Sequence, residues 1–221
     1  MTSALPLTDR RAAGRALAER LQSYAGGDPL VLALPRGGVP VAYEIAVALK
    51  AELDVALVRK IGAPGNPELA LGAVIDTEPP LWVANEALIA RLAPPDAWFD
   101  EQLDEQLAEL RRRRRVYCAE RPAPSPEGRT VILVDDGIAT GATVRAVLLG
   151  LAESAAQRVI LAVPVASREV VKQLSGEVDE VVCLETPEPF GSVGQHYLDF
   201  DQLEDREVCA LLAAARQITD G

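Results

Sequence analysis

Short apolar runs alternate with stretches of helical periodicity along most of the chain, and this alternation limits the possible folds more than any other feature. Six runs have the length of a buried strand. They are residues 29–34, 54–58, 71–75, 130–134, 158–163 and 178–183. A helix capped by Thr8 is predicted to extend to about Tyr24, and further helices are predicted after the first strand and after the fourth and fifth strands. Because apolar strands separated by helices form parallel sheets covered on both faces, we expect an α/β fold with a doubly wound, mostly parallel sheet.

The segment from about 79 to 128 interrupts this alternation. It contains the pairs Pro79-Pro80 and Pro94-Pro95, followed by a stripe of large residues at helical spacing. The stripe consists of Leu103, Leu107, Leu110 and Tyr117. With 221 residues, of which 49% are hydrophobic, the chain can form one substantial core. We therefore predict a single domain over residues 1–221 with a helical insertion at about 79–128.

The charge and the cysteines limit the classes of function. A net charge of −11 argues against general binding to nucleic acids or membrane surfaces, so no such partner is expected and an anionic ligand needs a local site. The three cysteines never form a CxxC pair, and the single histidine, His196, leaves too few ligands for zinc. Since no apolar segment approaches the roughly 18 residues of a membrane span and no signal-peptide pattern occurs, the expected location is the cytoplasm.

The stretch VILVDDGIATGAT, residues 131–143, joins a predicted strand to a predicted helix. Open α/β sheets bind ligands at the carboxyl ends of their strands. Thr140 to Thr143 offer backbone N–H groups and two hydroxyls to an anion at a helix N-terminus, and Gly141 allows a close approach. The adjacent Asp135 and Asp136 would repel a second phosphate but accept hydrogen bonds from vicinal hydroxyls. The motif therefore indicates a sugar phosphate, whereas TGxT alone would be an ordinary strand-to-helix turn.

This stretch resembles the signature with which type I phosphoribosyltransferases bind phosphoribosyl pyrophosphate (PRPP), and other parts of the chain occur in that family's order. The resemblance implies that Asp135 and Asp136 hold the 2′ and 3′ hydroxyls of the ribose. It also implies that the turn and the first helical residues bind the 5′-phosphate. These residues are Ala139, Thr140, Gly141, Ala142 and Thr143.

Two further segments resemble loops of the same family. After the first strand, Pro35-Arg36-Gly37-Gly38 resembles the loop whose backbone N–H groups bind pyrophosphate, which implies PRPP contacts for Arg36, Gly37 and Gly38. The sequence IGAPGNPELALG after Arg59-Lys60 resembles the mobile loop that closes over PRPP, and its Gly and Pro content predicts a loop in any case. The candidate catalytic residues implied by the resemblance are Lys60, Arg59, Asp135 and Asp136.

Near the C-terminus, PEPFGSVGQHYLDF resembles the hood region that receives the acceptor in this family. The resemblance implies that Phe190 and Tyr197 bind the acceptor, while packing is the more common role for such aromatic residues. A lone histidine such as His196 more often bonds a neighbouring backbone group than takes part in chemistry.

The activity implied by the resemblance is transfer of the 5-phosphoribosyl group from PRPP to a nitrogenous acceptor, such as a nucleobase, with release of pyrophosphate. This activity belongs to nucleotide metabolism. Mg²⁺ is the expected cofactor, held through PRPP oxygens without strong protein ligands, and Arg36 and Lys60 would add counter-charge. Hypoxanthine-guanine enzymes have an aspartate where this chain has Ala139, which leaves the acceptor undefined. The expected partners are PRPP, the acceptor and a second copy of the chain in a homodimer.

Two other functions remain open at this stage. One is a regulator that binds PRPP or a nucleotide without turning it over. The other is a relative of proteins linked to DNA uptake, which would use the insertion as a contact surface. Retention of the pyrophosphate-loop and mobile-loop segments argues against the first, and the balanced charges of residues 100–115 argue against the second.

A run of arginines, Arg111–Arg115, follows five acidic residues on the predicted insertion helix. The acids are Asp100, Glu101, Asp104, Glu105 and Glu109. Acids near the N-terminus and arginines near the C-terminus complement the helix dipole and permit pairs such as Glu109 with Arg113. The main interpretation is a solvated, self-neutralised helix, and the alternative is a subunit contact or an arginine that faces pyrophosphate.

Overall fold

The computed structural model describes residues 5–76, 80–95, 97–119 and 121–219. The strands are β1 (Leu30–Ala33), β2 (Glu52–Val55), β3 (Val58–Ala63), β4 (Asn66–Ile75), β5 (Leu81–Ala84), β6 (Thr130–Val134), β7 (Arg158–Val165) and β8 (Glu180–Glu185). The α-helices are α1 (Arg10–Arg20), α2 (Gly38–Leu49), α3 (Glu86–Leu92), α4 (Trp98–Cys118), α5 (Ala142–Ala152), α6 (Arg168–Leu174) and α7 (Asp205–Thr219). Short 3₁₀ helices lie at Gln22–Tyr24 and Val193–His196. Within the described ranges, no helix combines the length and the apolar character that crossing a membrane requires.

A parallel sheet of five strands forms the centre of the fold, in the order β2-β1-β6-β7-β8. Successive residues of β6 are buried on opposite faces of this sheet. Ile132 and Val134 belong to the core cluster that includes α1, α2 and α7, whereas Val131 and Leu133 pack with α5 and α6. Because both faces are covered, the central strands are apolar throughout. The expected α/β fold with a doubly wound, mostly parallel sheet is confirmed.

The sequence predicts Thr8 as the cap of helix α1, and the structure places the cap one residue later. Asp9 is the N-cap residue, and its carboxylate accepts a hydrogen bond of 2.7 Å from the backbone N–H of Ala12. The cap therefore places Arg10 in the first turn of the helix.

A second, antiparallel sheet has the order β3-β4-β5 and corrects two strand predictions. The predicted strand 54–58 is divided, because β2 ends at Val55 and β3 begins at Val58. Residues 71–75 lie in β4, so they belong to the antiparallel sheet and not to the parallel one. Apolar strand-length runs alone do not show which sheet a strand will join.

The segment after Lys60, which the sequence analysis predicts as a loop, forms most of the β3–β4 hairpin. Pro64 and Gly65 make its turn, and Gly65 has a φ of 73° that suits glycine. The pairing register shifts on both sides of Gly62. The prediction is wrong because these residues interrupt the hairpin at its turn and at an irregularity, where glycine and proline are compatible with strands.

The described part of the predicted insertion contains β5, α3 and α4, so it is helical apart from β5. Helix α4 packs against β3 and against α7, a helix that the sequence analysis did not predict. The predicted stripe faces the core: Leu110 and Tyr117 are buried, and Leu103 and Leu107 are partly buried against them. The division of residues 1–221 into one domain with this insertion stays a prediction.

The arginines of α4 lie in different environments. Glu109 pairs with Arg112 at 2.7 Å and with Arg113 at 2.9 Å, and hydrogen bonds from these two guanidiniums lower the pKa of Glu109 to about 2. Arg114 is buried and pairs with Asp54 and, at 3.0 Å, with Asp76. The interpretation of a solvated, self-neutralised run is therefore right for the Glu109 pairs and wrong for Arg114, whose burial requires carboxylate partners.

Candidate functional site

The loops that follow β1 and β6 meet at the carboxyl edge of the parallel sheet, because these two strands are direct neighbours. A Cβ atom on Gly37 would lie 2.0 Å from Oδ2 of Asp136, and one on Gly38 would lie 2.6 Å from the carbonyl oxygen of Val134. Both distances are far below van der Waals contact, so the approach of the two loops requires glycine at both positions. The peptide between Pro35 and Arg36 is cis. The structure thus brings the predicted pyrophosphate loop against the predicted ribose-binding carboxylates.

Asp135 and Asp136 form a carboxylate pair directly after β6. Oδ1 of Asp135 accepts a hydrogen bond of 2.9 Å from the backbone N–H of Asp136, and Oδ2 of Asp136 accepts one of 2.7 Å from Nε of Arg10. Burial raises the pKa of Asp135 well above its ordinary value, and the charge of Asp136 raises it further. Burial also raises the pKa of Asp136, while the hydrogen bond and charge of Arg10 act in the opposite direction. The other oxygen of each carboxylate can accept a hydrogen bond from a ligand hydroxyl.

The predicted phosphate-binding turn leads into helix α5. Gly141 precedes the helix with a φ of 76°, a left-handed conformation that favours glycine. Thr140 and Thr143 are exposed on either side of it, and the N-cap glycine offers no side chain to accept hydrogen bonds from the first N–H groups of α5. Arg145 donates to the carbonyl of Thr140 at 3.1 Å and so holds the turn from within the helix. Backbone N–H groups at such a helix start can bind a phosphate.

A cleft of about 740 Å³ opens beside the carboxylate pair. Its wall includes the predicted residues Arg36, Gly37, Asp135 and Asp136. It also includes residues that the sequence analysis did not identify, in particular Arg10 and Phe200. Arg112 and Arg113 from α4 line it as well, and the alternative that an arginine of this run faces pyrophosphate stays a prediction.

The side chain of Arg36 is held at the edge of the cleft by the start of α7. Its Nε lies 3.0 Å from Oδ1 of Asp205, and one terminal nitrogen donates to the carbonyl of Leu203 at 2.9 Å. The hydroxyl of Tyr117 donates to the same Asp205 oxygen at 2.7 Å. Helices α4 and α7 therefore position a cation of the predicted pyrophosphate loop.

Arg59 and Lys60 lie away from the carboxylate pair in this conformation. They line a second pocket of about 460 Å³, between the β3–β4 hairpin and α4. Nε of Arg59 donates to Oε1 of Gln106 at 3.0 Å, which ties the hairpin to the helix. The catalytic roles implied for these two residues stay predictions.

The hood region supports the carboxylate pair from behind. Tyr197 is buried, and its hydroxyl donates to the backbone carbonyl of Asp136 at 2.6 Å. Phe190 packs against His196, whose Nε2 lies 2.6 Å from the carbonyl oxygen of Phe190. Neither Phe190 nor Tyr197 is among the residues that line the cleft, where the hood's aromatic ring is Phe200. The geometry of Phe190 and Tyr197 corresponds to the packing alternative, and their acceptor-binding role stays a prediction.

Sequence reasoning missed Arg10 and Phe200 because no local pattern connects them with Asp136. Arg10 is 126 positions from Asp136 and comes from the first turn of α1. Phe200 lies at the end of the quoted hood segment, three positions after Tyr197, so that segment was the one available signal.

Comparisons with known proteins show which family this chain belongs to. The family model of the phosphoribosyl transferase domain matches residues 7–201. A Mycobacterium tuberculosis protein, known from two strains and provisionally named as a phosphoribosyl transferase, is 44% identical over 209 residues. The match covers 95% of this chain and 47% of that protein, so the chain spans about half the length of these curated relatives. The crystal structure of TT1426 from Thermus thermophilus shares 45% identity and a TM-score of 0.82, covering 94% of this chain and 98% of the other.

Proposed function

Because this chain belongs to the phosphoribosyl transferase family, we propose that it transfers the 5-phosphoribosyl group of PRPP to a nitrogen nucleophile and releases pyrophosphate. The observation that carries the proposal is that three elements follow the carboxyl ends of two neighbouring strands, β1 and β6. They are the pair Asp135 and Asp136, the turn at Gly37 and Gly38, and the start of α5 at Gly141. PRPP has one chemical group for each element: two ribose hydroxyls for the carboxylates, pyrophosphate for the glycine turn and the 5′-phosphate for the helix start.

In the proposed complex, the 5′-phosphate binds at the turn from Ala139 to Thr143, where α5 begins. The ribose hydroxyls donate hydrogen bonds to Asp135 and Asp136, and each such charge-assisted bond contributes roughly 1.5–3 kcal/mol. The pyrophosphate lies toward the Arg36 loop. The arginines of α4 that line the cleft supply further positive charge on that side.

The reaction breaks the bond between C1 of the ribose and a pyrophosphate oxygen, and the oxygen keeps the bonding electrons. The acceptor nitrogen forms the new bond to C1 and loses a proton to solvent. Positive charge develops on the ribose ring and negative charge on pyrophosphate, so the main catalytic requirement is counter-charge that is already in position. Arg36 meets this requirement because Asp205 and the Leu203 carbonyl hold its guanidinium.

The β3–β4 hairpin would add Lys60 when it closes over the bound substrate and excludes water that would otherwise hydrolyse PRPP. Among the residues that the structure describes, no group of three or more His, Cys, Asp or Glu side chains is arranged to hold a metal ion. We therefore propose that Mg²⁺ is held by oxygens of PRPP and not by protein ligands. There it would supply positive charge to the leaving pyrophosphate.

The test is release of pyrophosphate from PRPP with Mg²⁺ in the presence of nucleobases and other amine acceptors, together with calorimetric titration of PRPP. Wild-type protein should bind PRPP and release pyrophosphate with at least one acceptor. Asp135→Asn and Asp136→Asn should each weaken PRPP binding about tenfold or more, since each loses a charge-assisted hydrogen bond. Asp104→Asn, on the exposed face of α4, is the matched control and should bind normally.

Two outcomes would argue against the proposal. Unchanged PRPP affinity in both aspartate variants would remove the assignment of the ribose site. PRPP binding without turnover across the acceptor panel would instead favour a regulator that senses PRPP.

A further inference from the structure

Arg10 makes three contacts that together fix its guanidinium at the carboxylate pair. Its Nε donates to Oδ2 of Asp136 at 2.7 Å, and NH1 donates to the carbonyl of Asp201 at 2.9 Å. The guanidinium carbon lies 3.8 Å from the centre of the Phe200 ring, which is a cation–π contact. The side chains of Arg10 and Asp136 are 12% and 13% exposed, so solvent screens this ion pair far less than a surface pair.

The position of Arg10 is built into the fold. The backbone N–H of Leu7 donates to the carbonyl of His196 at 2.8 Å, and the N–H of Leu198 donates back to the carbonyl of Leu7 at 2.8 Å. The N–H of Asp199 donates to the carbonyl of Thr8 at 3.0 Å. These bonds join the segment before α1 to the hood region, and they leave Arg10 little freedom to move away from Asp136.

Two adjacent buried carboxylates cannot both be charged without a counter-ion. Burial and mutual repulsion raise the pKa of Asp135, and burial raises the pKa of Asp136. Arg10 is the cation that acts on both groups, by charge on Asp135 and by hydrogen bond and charge on Asp136. Proton uptake by either carboxylate would turn an acceptor oxygen into a donor, which does not match a sugar hydroxyl that itself donates.

Other groups near the pair do not replace Arg10. Arg112 and Arg113 of α4 line the same cleft but pair with Glu109. From the hood, the hydroxyl of Tyr197 donates to the backbone carbonyl of Asp136 and carries no positive charge. From α1, Asp9 is an acid that caps its own helix. From the loop after β1, Arg36 lines the same cleft but bonds to Asp205 and to the Leu203 carbonyl.

We propose that Arg10 is a positioning residue for sugar recognition, which keeps Asp135 and Asp136 available together as hydrogen-bond acceptors for the two vicinal hydroxyls of the phosphoribosyl donor. This inference rests on the proposed function. Arginine suits the role because one planar fork can bond to Asp136, bond to the Asp201 carbonyl and lie against the Phe200 ring.

The experiment compares PRPP binding by wild-type protein and Arg10→Gln, titrated with Mg²⁺ between about pH 5.5 and about pH 8.5, where the phosphates of PRPP also titrate. The measured quantity is the ratio of the two dissociation constants at each pH, because the titration of PRPP itself cancels in this ratio. Loss of the cation raises the pKa of the pair, so the variant should lose affinity as the pH falls through the raised value. We expect its affinity relative to wild type to fall about tenfold per pH unit on the acid side and to recover toward the alkaline end.

Three further variants sharpen this comparison. Arg10→Lys keeps the charge and should restore a pH profile close to that of wild type. Arg10→Met keeps the apolar stem over Phe200 and provides a second neutral variant if Arg10→Gln does not fold. Arg11→Gln is the matched control. Arg11 is next to Arg10 in the chain, but its half-exposed guanidinium bonds to Glu44 at 2.5 Å. Its profile should coincide with that of wild type.

Carbon-13 NMR titration of labelled aspartate carboxyl groups provides a measurement without ligand. The midpoint of the pair should lie at higher pH in Arg10→Gln or Arg10→Met than in wild type, and Arg10→Lys should lie close to wild type. Coincident midpoints, or a loss of PRPP affinity by the same factor at every pH, would overturn the inference. If wild-type protein does not bind PRPP at all, the proposed function fails, and the NMR midpoints still decide whether Arg10 is the counter-ion of the pair.

Discussion

Gly37→Ala tests the contact between the pyrophosphate loop and the carboxylate pair most directly. The added methyl would lie 2.0 Å from Oδ2 and 2.4 Å from Cγ of Asp136, whereas ordinary contact begins at 3.4 Å. Asp136 would therefore have to retreat by about 1.4 Å, or the loop would have to move away by as much. Movement of Asp136 disturbs its 2.7 Å hydrogen bond with Arg10 and misplaces an acceptor of the proposed ribose site, whereas movement of the loop displaces the proposed pyrophosphate site.

The expected magnitude follows from these two effects. Overpacking of a close contact typically costs about 1–3 kcal/mol of folding stability. Loss of a charge-assisted hydrogen bond to a ribose hydroxyl costs roughly 1.5–3 kcal/mol of binding energy, which is about a tenfold to a hundredfold weaker PRPP affinity. Thermal unfolding measures the first quantity and calorimetric titration measures the second. Gly27→Ala is the control, because its methyl would lie no closer than 3.5 Å to a neighbouring atom.

A double-mutant cycle isolates the contact from other consequences of the substitution. In an Asp136→Ala background the clashing carboxylate is absent, so Gly37→Ala should cost far less stability there than in wild type. The coupling energy should reach about 1 kcal/mol or more, as is usual for residues in direct contact. Additive effects on unfolding, or normal PRPP binding by Gly37→Ala, would show that the two loops do not meet as described.

Three further predictions concern other parts of the proposed site. Gly141→Val should abolish binding of ribose 5-phosphate as well as PRPP, because a branched residue is strained at a φ of 76° and its Cβ would lie 3.2 Å from Val170. Normal binding of ribose 5-phosphate in calorimetry would mean that the phosphate lies elsewhere. Lys60→Ala should lower kcat about a hundredfold while PRPP affinity changes little, and full-rate steady-state kinetics would mean that Lys60 stays outside the reaction. Arg113→Gln should weaken inhibition by inorganic pyrophosphate about tenfold, whereas Arg111→Gln, at an exposed position outside the cleft, should not. Equal inhibition constants for the two variants would show that the arginines of α4 do not bind the anion.

The sequence predicts the structure best where the local residue pattern matches the burial of the segment. Strand β6 was predicted with its observed limits because every residue from Val131 to Val134 is buried on one face or the other. The position of Asp135 and Asp136 followed, since a buried strand fixes the residues that come directly after it. The loop after β1 was placed beside them by resemblance, and the parallel pairing of β1 with β6 supplies the physical reason.

The unpredictable part depends on contacts between distant segments. The glycines and prolines after Lys60 are compatible with a loop or a hairpin, and the pairing of β4 with both β3 and β5 decides between them. Arg10 reaches both Asp136 and the Phe200 ring because the backbone of the segment before α1 bonds to the hood. Neither contact leaves a periodic pattern in the sequence, so apolar spacing and motif matching cannot reveal it.

The arginine run of α4 shows why consecutive charges on a helix should be interpreted one residue at a time. Successive residues point about 100° apart, so a single turn presents neighbouring arginines to different surroundings. Arg112 and Arg113 line the cleft, while Arg114 enters the core between Asp54 and Asp76. The buried ion pairs tie α4 to the ends of β2 and β4, and this attachment orients the cleft-facing arginines. Helix α4, whose charged run is predicted from the sequence to be solvated, thus joins the structural core to the anion side of the proposed active site.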